Sequence, residues 1–399
     1  MTEIASKPGA TFLKYKPQVS GLRFCAVAFV VLYHYSTTLE SFKRIYDLGN
    51  LIVFFFVLSS YLITKILLKA KKKAEASGVS MFKVTLAFLG RRTLRIFPAH
   101  YLYLLVLFLL PLEGKELREH LWVYLLYLTN FLIFFTKTAG QYTVHLWTLA
   151  VEEQFYIIWP WLILFIPTRY LPRVLMVLIV LAVAFRVCFS WFLHQGGFEM
   201  WVLTPACLDS FALGALIAYY HSAEKKNVWL RRILFIAIPI WIWLIFSNHQ
   251  KTFLGLNRLF ISLVAIVLID QANQGFRGIT GRILESRVVQ YLAKISFGIY
   301  LYHLIASAFY WKAFDALSAF FAERGIDLTG LRNFTSIPWV SFIIYASISV
   351  LCASISWYLL EQPLNNLRRL VVYVMKGRKE ALPTATQVVE TVKATHSKR

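Results

Sequence analysis

Apolar runs of membrane-span length follow one another along the 399-residue chain, with short polar stretches between them. Eleven such segments stand near 21–36, 48–69, 96–112, 120–135, 146–167, 174–194, 203–221, 230–247, 256–272, 288–311 and 337–360. About 20 predominantly apolar residues, wound as a helix, cross the roughly 30 Å hydrocarbon core of a bilayer. Helices are also the spanning element that satisfies its own backbone hydrogen bonds. The pattern therefore predicts an all-α, polytopic integral membrane helical bundle. Its parts are a polar segment over 1–20, a transmembrane domain over 21–363 and a basic, disordered tail over 364–399. The first apolar segment lacks a small-residue cleavage site and is read as a retained span.

Composition agrees: 58% of residues are hydrophobic and only 16% charged. The net charge of +22 would suit nucleic acid, but its distribution excludes that partner. The stretch Lys65–Arg95 holds nine basic residues against Glu75 alone, whereas Glu113–Glu119 carries three acidic and two basic. Basic loops on alternate sides are the positive-inside signature. Counting all eleven segments as spans would put the basic stretch Glu224–Arg232 outside. Leaving 120–135 as a re-entrant or peripheral segment returns it to the cytoplasm, with Arg169, Arg173, Arg277–Arg287 and the tail. The expected topology is thus about ten crossings with both termini cytoplasmic. The four cysteines lie in apolar segments without metal-ligand spacing, so no metal site is expected.

Against this background the intramembrane ionisable residues stand out, because each costs roughly 2.5–3.5 kcal/mol on insertion scales. Arg23 and His34 are eleven residues apart in the first segment. At about 100° per residue that is within about 20° of three full turns, so they share one helix face about 16 Å apart. Arg92 and Arg95 open the third segment as helical neighbours, either as interfacial anchors or as a clamp for phosphate oxygens. Glu152, Glu153 and Gln154 interrupt the apolar run that begins at His145, and Thr148, Glu152, Tyr156 and Trp159 fall on one face. An acid there either pairs with an arginine such as Arg186 to hold the bundle or serves a site. Asp209 and His303 pose the same choice. Ser59 and Ser60 end a Phe-rich run, where small side chains permit close approach of a helix or a ligand.

Six elements in fixed order give the chain a resemblance to the membrane acyltransferase-3 family, which O-acylates glycans and lipid-linked saccharides. They are Arg23 with His34, Phe55–Ser59, Arg92-x-x-Arg95 with Pro98, Leu146–Tyr156, Ser296–His303, and Glu361 with Pro363. Two departures are Ser60-Tyr61, where the family has Gly-Phe, and Thr148, where it has Ser. The resemblance implies acetyl-CoA or another acyl-CoA as co-substrate, delivered from the cytoplasm to an enzyme of the inner or plasma membrane. It also implies a sugar hydroxyl as acceptor, in a cell-surface or lipid-linked glycan. On that reading His34 is catalytic with Glu152 or Glu153, Arg23, Arg92 and Arg95 bind the CoA, and Trp147, Thr148, Tyr156 and His303 contact substrate. Direct attack by the acceptor and a covalent acyl-His34 both satisfy the residues. The rival class is a proton-coupled transporter or flippase for a glycolipid or anionic substrate.

Overall fold

The computed structural model describes residues 15–36, 52–110, 112, 116–192, 198–224, 228–246, 250–367 and 371. Residues 1–14 and nearly all of the predicted tail lie outside the described residues. The described chain is helical, without a strand. Ten long helices carry it: α1 (Pro17–Ser36), α2 (Ile52–Ser77), α3 (Met81–Leu109), α4 (Leu146–Phe165), α5 (Leu171–Phe192), α6 (Leu208–Ser222), α7 (Val228–Phe246), α8 (Gln250–Gln274), α9 (Ser296–Ala322) and α10 (Pro338–Ser356).

Five helices among the described residues are long and apolar enough to cross a membrane, or up to six if a helix pair bent by 74° is one span. The other long helices fall short for reasons visible in two of them. In α4, Glu152, Glu153 and Gln154 dilute the apolar run. α6 has only 15 residues, about 22 Å of rise.

Polarity runs inside out, as lipid solvent demands. Large apolar side chains such as Val180 on α5 and Phe235 and Trp243 on α7 point outward. Arg186, Asp209, Ser210, Arg258 and Ser262 are fully buried. Arg186 pairs with Asp209 at 2.6 Å, not with Glu152. Small residues let helices close up. A Cβ on Gly214 of α6 would come 2.2 Å from Val57 O of α2, so the glycine that allows close approach sits on the facing helix rather than at residue 60.

Two predicted segments are organised differently from a plain span. The 120–135 stretch breaks into Leu121–Leu125 and Thr129–Thr136, with Tyr127 and Lys137 at left-handed φ of 55° and 56°. Eight residues rise only about 12 Å, so it is not one spanning helix. Asn130 is held there by Gln154 and Thr204. The 288–311 segment, expected as one apolar run, divides at Ile295 into Arg287–Lys294 and α9, bent by 74°. Arg287, Gln290 and Lys294 make the first piece too polar to continue α9 through the core.

Candidate active site

Two helices of the bundle carry matching polar ladders. On α1, Arg23 and His34 are eleven residues apart; on α4, His145 at the N-cap and Tyr156 are also eleven apart. The ladders run antiparallel. Arg23 and Tyr156 line one cavity, while His34 and His145 both stand against His303 beyond its inner wall.

The cavity encloses about 620 Å³ between α1, α2, α3, α4 and the start of α9. Among the described residues four arginines face it, Arg23 from α1 and Arg91, Arg92 and Arg95 from α3, and Glu152 is the one lining carboxylate. The Arg92 guanidinium lies over the Tyr156 ring at 5.2 Å and the Phe88 ring at 5.5 Å. Stacking of this kind orients the planar group and leaves its N–H edges available to a ligand. Tyr156 donates to Glu152 Oε2 at 2.9 Å and meets Ser59 Oγ at 2.8 Å. Adjacent residues split the two roles of the serine pair: Ser59 faces the cavity, while Ser60 bonds Phe211 O at the helix interface.

At the inner wall, Tyr300 donates to His145 O at 2.8 Å and shares a hydrogen bond with Thr148 Oγ1. Behind it three imidazoles meet. Ring centroids of His34 and His303 are 4.9 Å apart, and those of His145 and His303 are 5.2 Å apart. A carbonyl only accepts, so each ring nitrogen that meets one carries the proton. His34 Nδ1 donates to Val30 O at 2.9 Å, and His303 Nδ1 donates to Tyr300 O at 2.6 Å. His303 Nε2 is then a lone pair, set 3.3 Å from His34 Nδ1–H. That arrangement leaves Nε2 as the basic nitrogen of His34. His145 Nε2 donates to Leu301 O at 3.0 Å, leaving its buried Nδ1 without a partner.

The structure thus brings together Arg23, Arg92, Arg95, Thr148, Glu152 and Tyr156 on the cavity, and His34 with His303 behind it. Two predicted residues lie apart. Trp147 is buried edge-on against Phe56 and does not line the cavity. Glu153 is buried away from it, with Oε1 unpartnered. Neighbouring residues on a helix diverge by about 100°, so only one acid of the pair can face the cavity. His145 and Tyr300 escaped the sequence reading. The eleven-residue spacing of Arg23 and His34 recurs from Tyr156 back to His145, and that repeat could have pointed to the first.

Helices of this kind around a cation-walled cavity and a histidine cluster define a membrane protein with the groups for acyl transfer. The chain belongs to the acyltransferase-3 family, whose sequence model, an acyltransferase domain, matches residues 17–358. It is 26% identical over 316 residues to the peptidoglycan O-acetyltransferase OatA of Listeria monocytogenes, covering 73% of this chain and 49% of that protein. It is 28% identical over 378 residues to the putative peptidoglycan O-acetyltransferase YrhL of Bacillus subtilis, covering 81% and 56%. To the O-acetyltransferase OatA of Staphylococcus aureus it is 22% identical over 378 residues, covering 88% and 57%. The chain spans about half the length of these curated relatives. No solved structure matches it.

Proposed function

We propose that this protein is a membrane O-acyltransferase that moves an acetyl group from cytoplasmic acetyl-CoA to a sugar hydroxyl of a cell-surface or lipid-linked glycan. The observation that carries the reading is an arginine-walled cavity bounded by Tyr300, with the His303 ring 5.6 Å from the Tyr300 ring and His34 Nδ1 3.3 Å from His303 Nε2 behind it. Guanidinium groups match phosphate oxygens, and Arg92 and Arg95 are the phosphate ligands in this reading, with Arg23 beside them. The long pantetheine arm of CoA suits phosphates held about 16 Å along α1 from the reacting end. The relatives named as peptidoglycan O-acetyltransferases support a glycan acceptor.

In the chemical step His34 Nε2 takes the acceptor hydroxyl proton as the oxygen attacks the thioester carbonyl. The C–S bond breaks, and the departing thiolate recovers that proton from the imidazolium. Val30 O at 2.9 Å and His303 Nε2 at 3.3 Å share the His34 Nδ1–H and orient the ring, as an orienting partner holds the base of a catalytic triad. Glu152 and Tyr156 keep Arg92 in place. The topology that goes with this reading has about ten crossings and cytoplasmic termini in the inner or plasma membrane. It puts the cavity mouth on the donor's side.

Purified protein should release free thiol from acetyl-CoA only when a glycan acceptor is present. Substrate movement across vesicles without thiol release would establish a transporter instead. Cysteines placed at Lys115 and Gly140, in a background without native cysteines, should label from the same side of the membrane. Labelling from opposite sides would sink the ten-crossing topology.

A further inference from the structure

The arginines account for one wall of the cavity. Its other cations are lysines, held by different helices in a different way. Lys65 and Lys69 project from α2, and Lys16 precedes α1. Lys65 Nζ donates to Tyr61 Oη at 3.1 Å and to Asn273 Oδ1 at 3.4 Å, and lies 5.2 Å from the Tyr61 ring centroid. Lys16 Nζ donates to Asn273 O at 2.8 Å, so two ammonium groups converge on the C-terminal end of α8, where the helix dipole favours cations.

The acid of this neighbourhood is committed elsewhere. Asp270 takes His221 Nε2 at 2.7 Å on one oxygen and Gln274 Nε2 at 2.8 Å on the other. His221 Nδ1 in turn meets the Tyr61 hydroxyl at 3.1 Å, which fixes the phenol that orients Lys65. Lys65 is therefore held by neutral oxygens, half-buried, on the wall of a cavity whose lining contains, among the described residues, a single carboxylate, Glu152, beside Tyr156 and Arg92. Such a cation is built to meet an anion.

We infer that the lysine wall is a second phosphate subsite, separate from the arginine clamp, and that it reads the phosphate monoester on the ribose of the CoA donor. The inference rests on the donor reading above. CoA carries phosphate in two places: a diphosphate bridge and a ribose monoester of about −1.5 to −2 charge. The lysines of α2 and the arginines of α3 stand on separate helices, as two separated anions require. A compact ammonium suits a monoester whose oxygens are approached from several directions, while the planar forks suit the bridge.

The test compares acetyl-CoA with acetyl-dephospho-CoA, which lacks only the monoester. The wild type should favour acetyl-CoA in kcat/KM by about 10-fold to 150-fold, as a charge-assisted contact of this kind is worth. Lys65→Met keeps the apolar stem and removes the charge. It should bring the two donors together, with the loss confined to acetyl-CoA. The ratio does not depend on how much of a preparation is folded. A wild type that uses both donors equally overturns the subsite and leaves the donor reading standing. So does a Lys65→Met enzyme that keeps the wild-type ratio or loses both donors in equal measure. A wild type that releases thiol from neither donor removes the donor reading and the subsite with it.

Discussion

Two regions of this bundle hold arginine within the protein, and they do so in opposite ways. Between α5, α6 and α8, each guanidinium nitrogen of Arg186 bonds protein: Gly255 O at 2.9 Å, Ala206 O at 2.6 Å and Asp209 at 2.6 Å. Arg258 bonds Trp201 O at 2.9 Å and lies over the Trp201 ring. Around the cavity, Arg92 rests on two aromatic faces beside an open volume. The same residue type is a strut in the first region and lines an open cavity in the second. What separates them is whether the neighbouring helices supply a carboxylate and carbonyls or leave space. A charge in low dielectric must find compensation. In the first region the protein provides it with a carboxylate and carbonyls, and in the second with aromatic faces beside an open volume.

The sharpest break in the comparison comes at the inner end of the open region. His34→Gln keeps polarity and volume but cannot accept a proton, and it should lower acyl transfer by about 10²–10⁴-fold in protein that still inserts. Near-normal turnover would remove His34 from the chemistry. In the saturated region Asp209→Ala should cost about 3–5 kcal/mol, because it strands Arg186 without its counter-charge. The readout is thermal unfolding in detergent. The double change Arg186→Met with Asp209→Leu should recover more folded protein than Asp209→Ala alone; equal loss would mean that the pair is not what the region depends on.

Arg92→Ala should do the reverse of Asp209→Ala. It should leave unfolding nearly unchanged and raise the apparent donor constant by about 1.5–3 kcal/mol equivalent, with Arg92→Lys recovering part of it. Lower activity at an unchanged donor constant would make Arg92 a strut as well. The smallest effect belongs to the wall between cavity and histidines. Tyr300→Phe deletes bonds to Thr148 and His145 O and should cost about 1 kcal/mol, roughly fivefold in kcat/KM. A loss as large as that of His34→Gln would place the phenol in the chemistry itself.

Much of the site was legible because helix periodicity is local. The Arg23–His34 spacing puts both on one face without knowledge of any other helix, and Thr148, Glu152 and Tyr156 line the cavity together as their spacing requires. The same rule explains why Glu153 fell away from Glu152. Arg186 and Arg23 look alike in sequence, since each is a cation bordered by apolar residues. Nothing local says that Asp209 waits 2.6 Å from the one and open space from the other. His145 opens the α4 run and Tyr300 lies within Ser296–His303, but nothing local to either segment shows that they meet at the cavity wall.

By itself, then, the chain determined that it forms a membrane bundle of helices, which face of α1 carries the arginine and the histidine, and which ordered motifs it shares with its family. These are properties of consecutive residues, set by hydropathy and a turn of about 100° per residue. Only the tertiary structure decided that His145 and His303 join His34, that lysines of α2 share a cavity with arginines of α3, and which buried charge is already satisfied. Those outcomes depend on how closely helices distant in sequence approach. That approach is governed by small residues such as Gly214 and Gly298 and by the bend at Ile295, not by the pattern along any one helix.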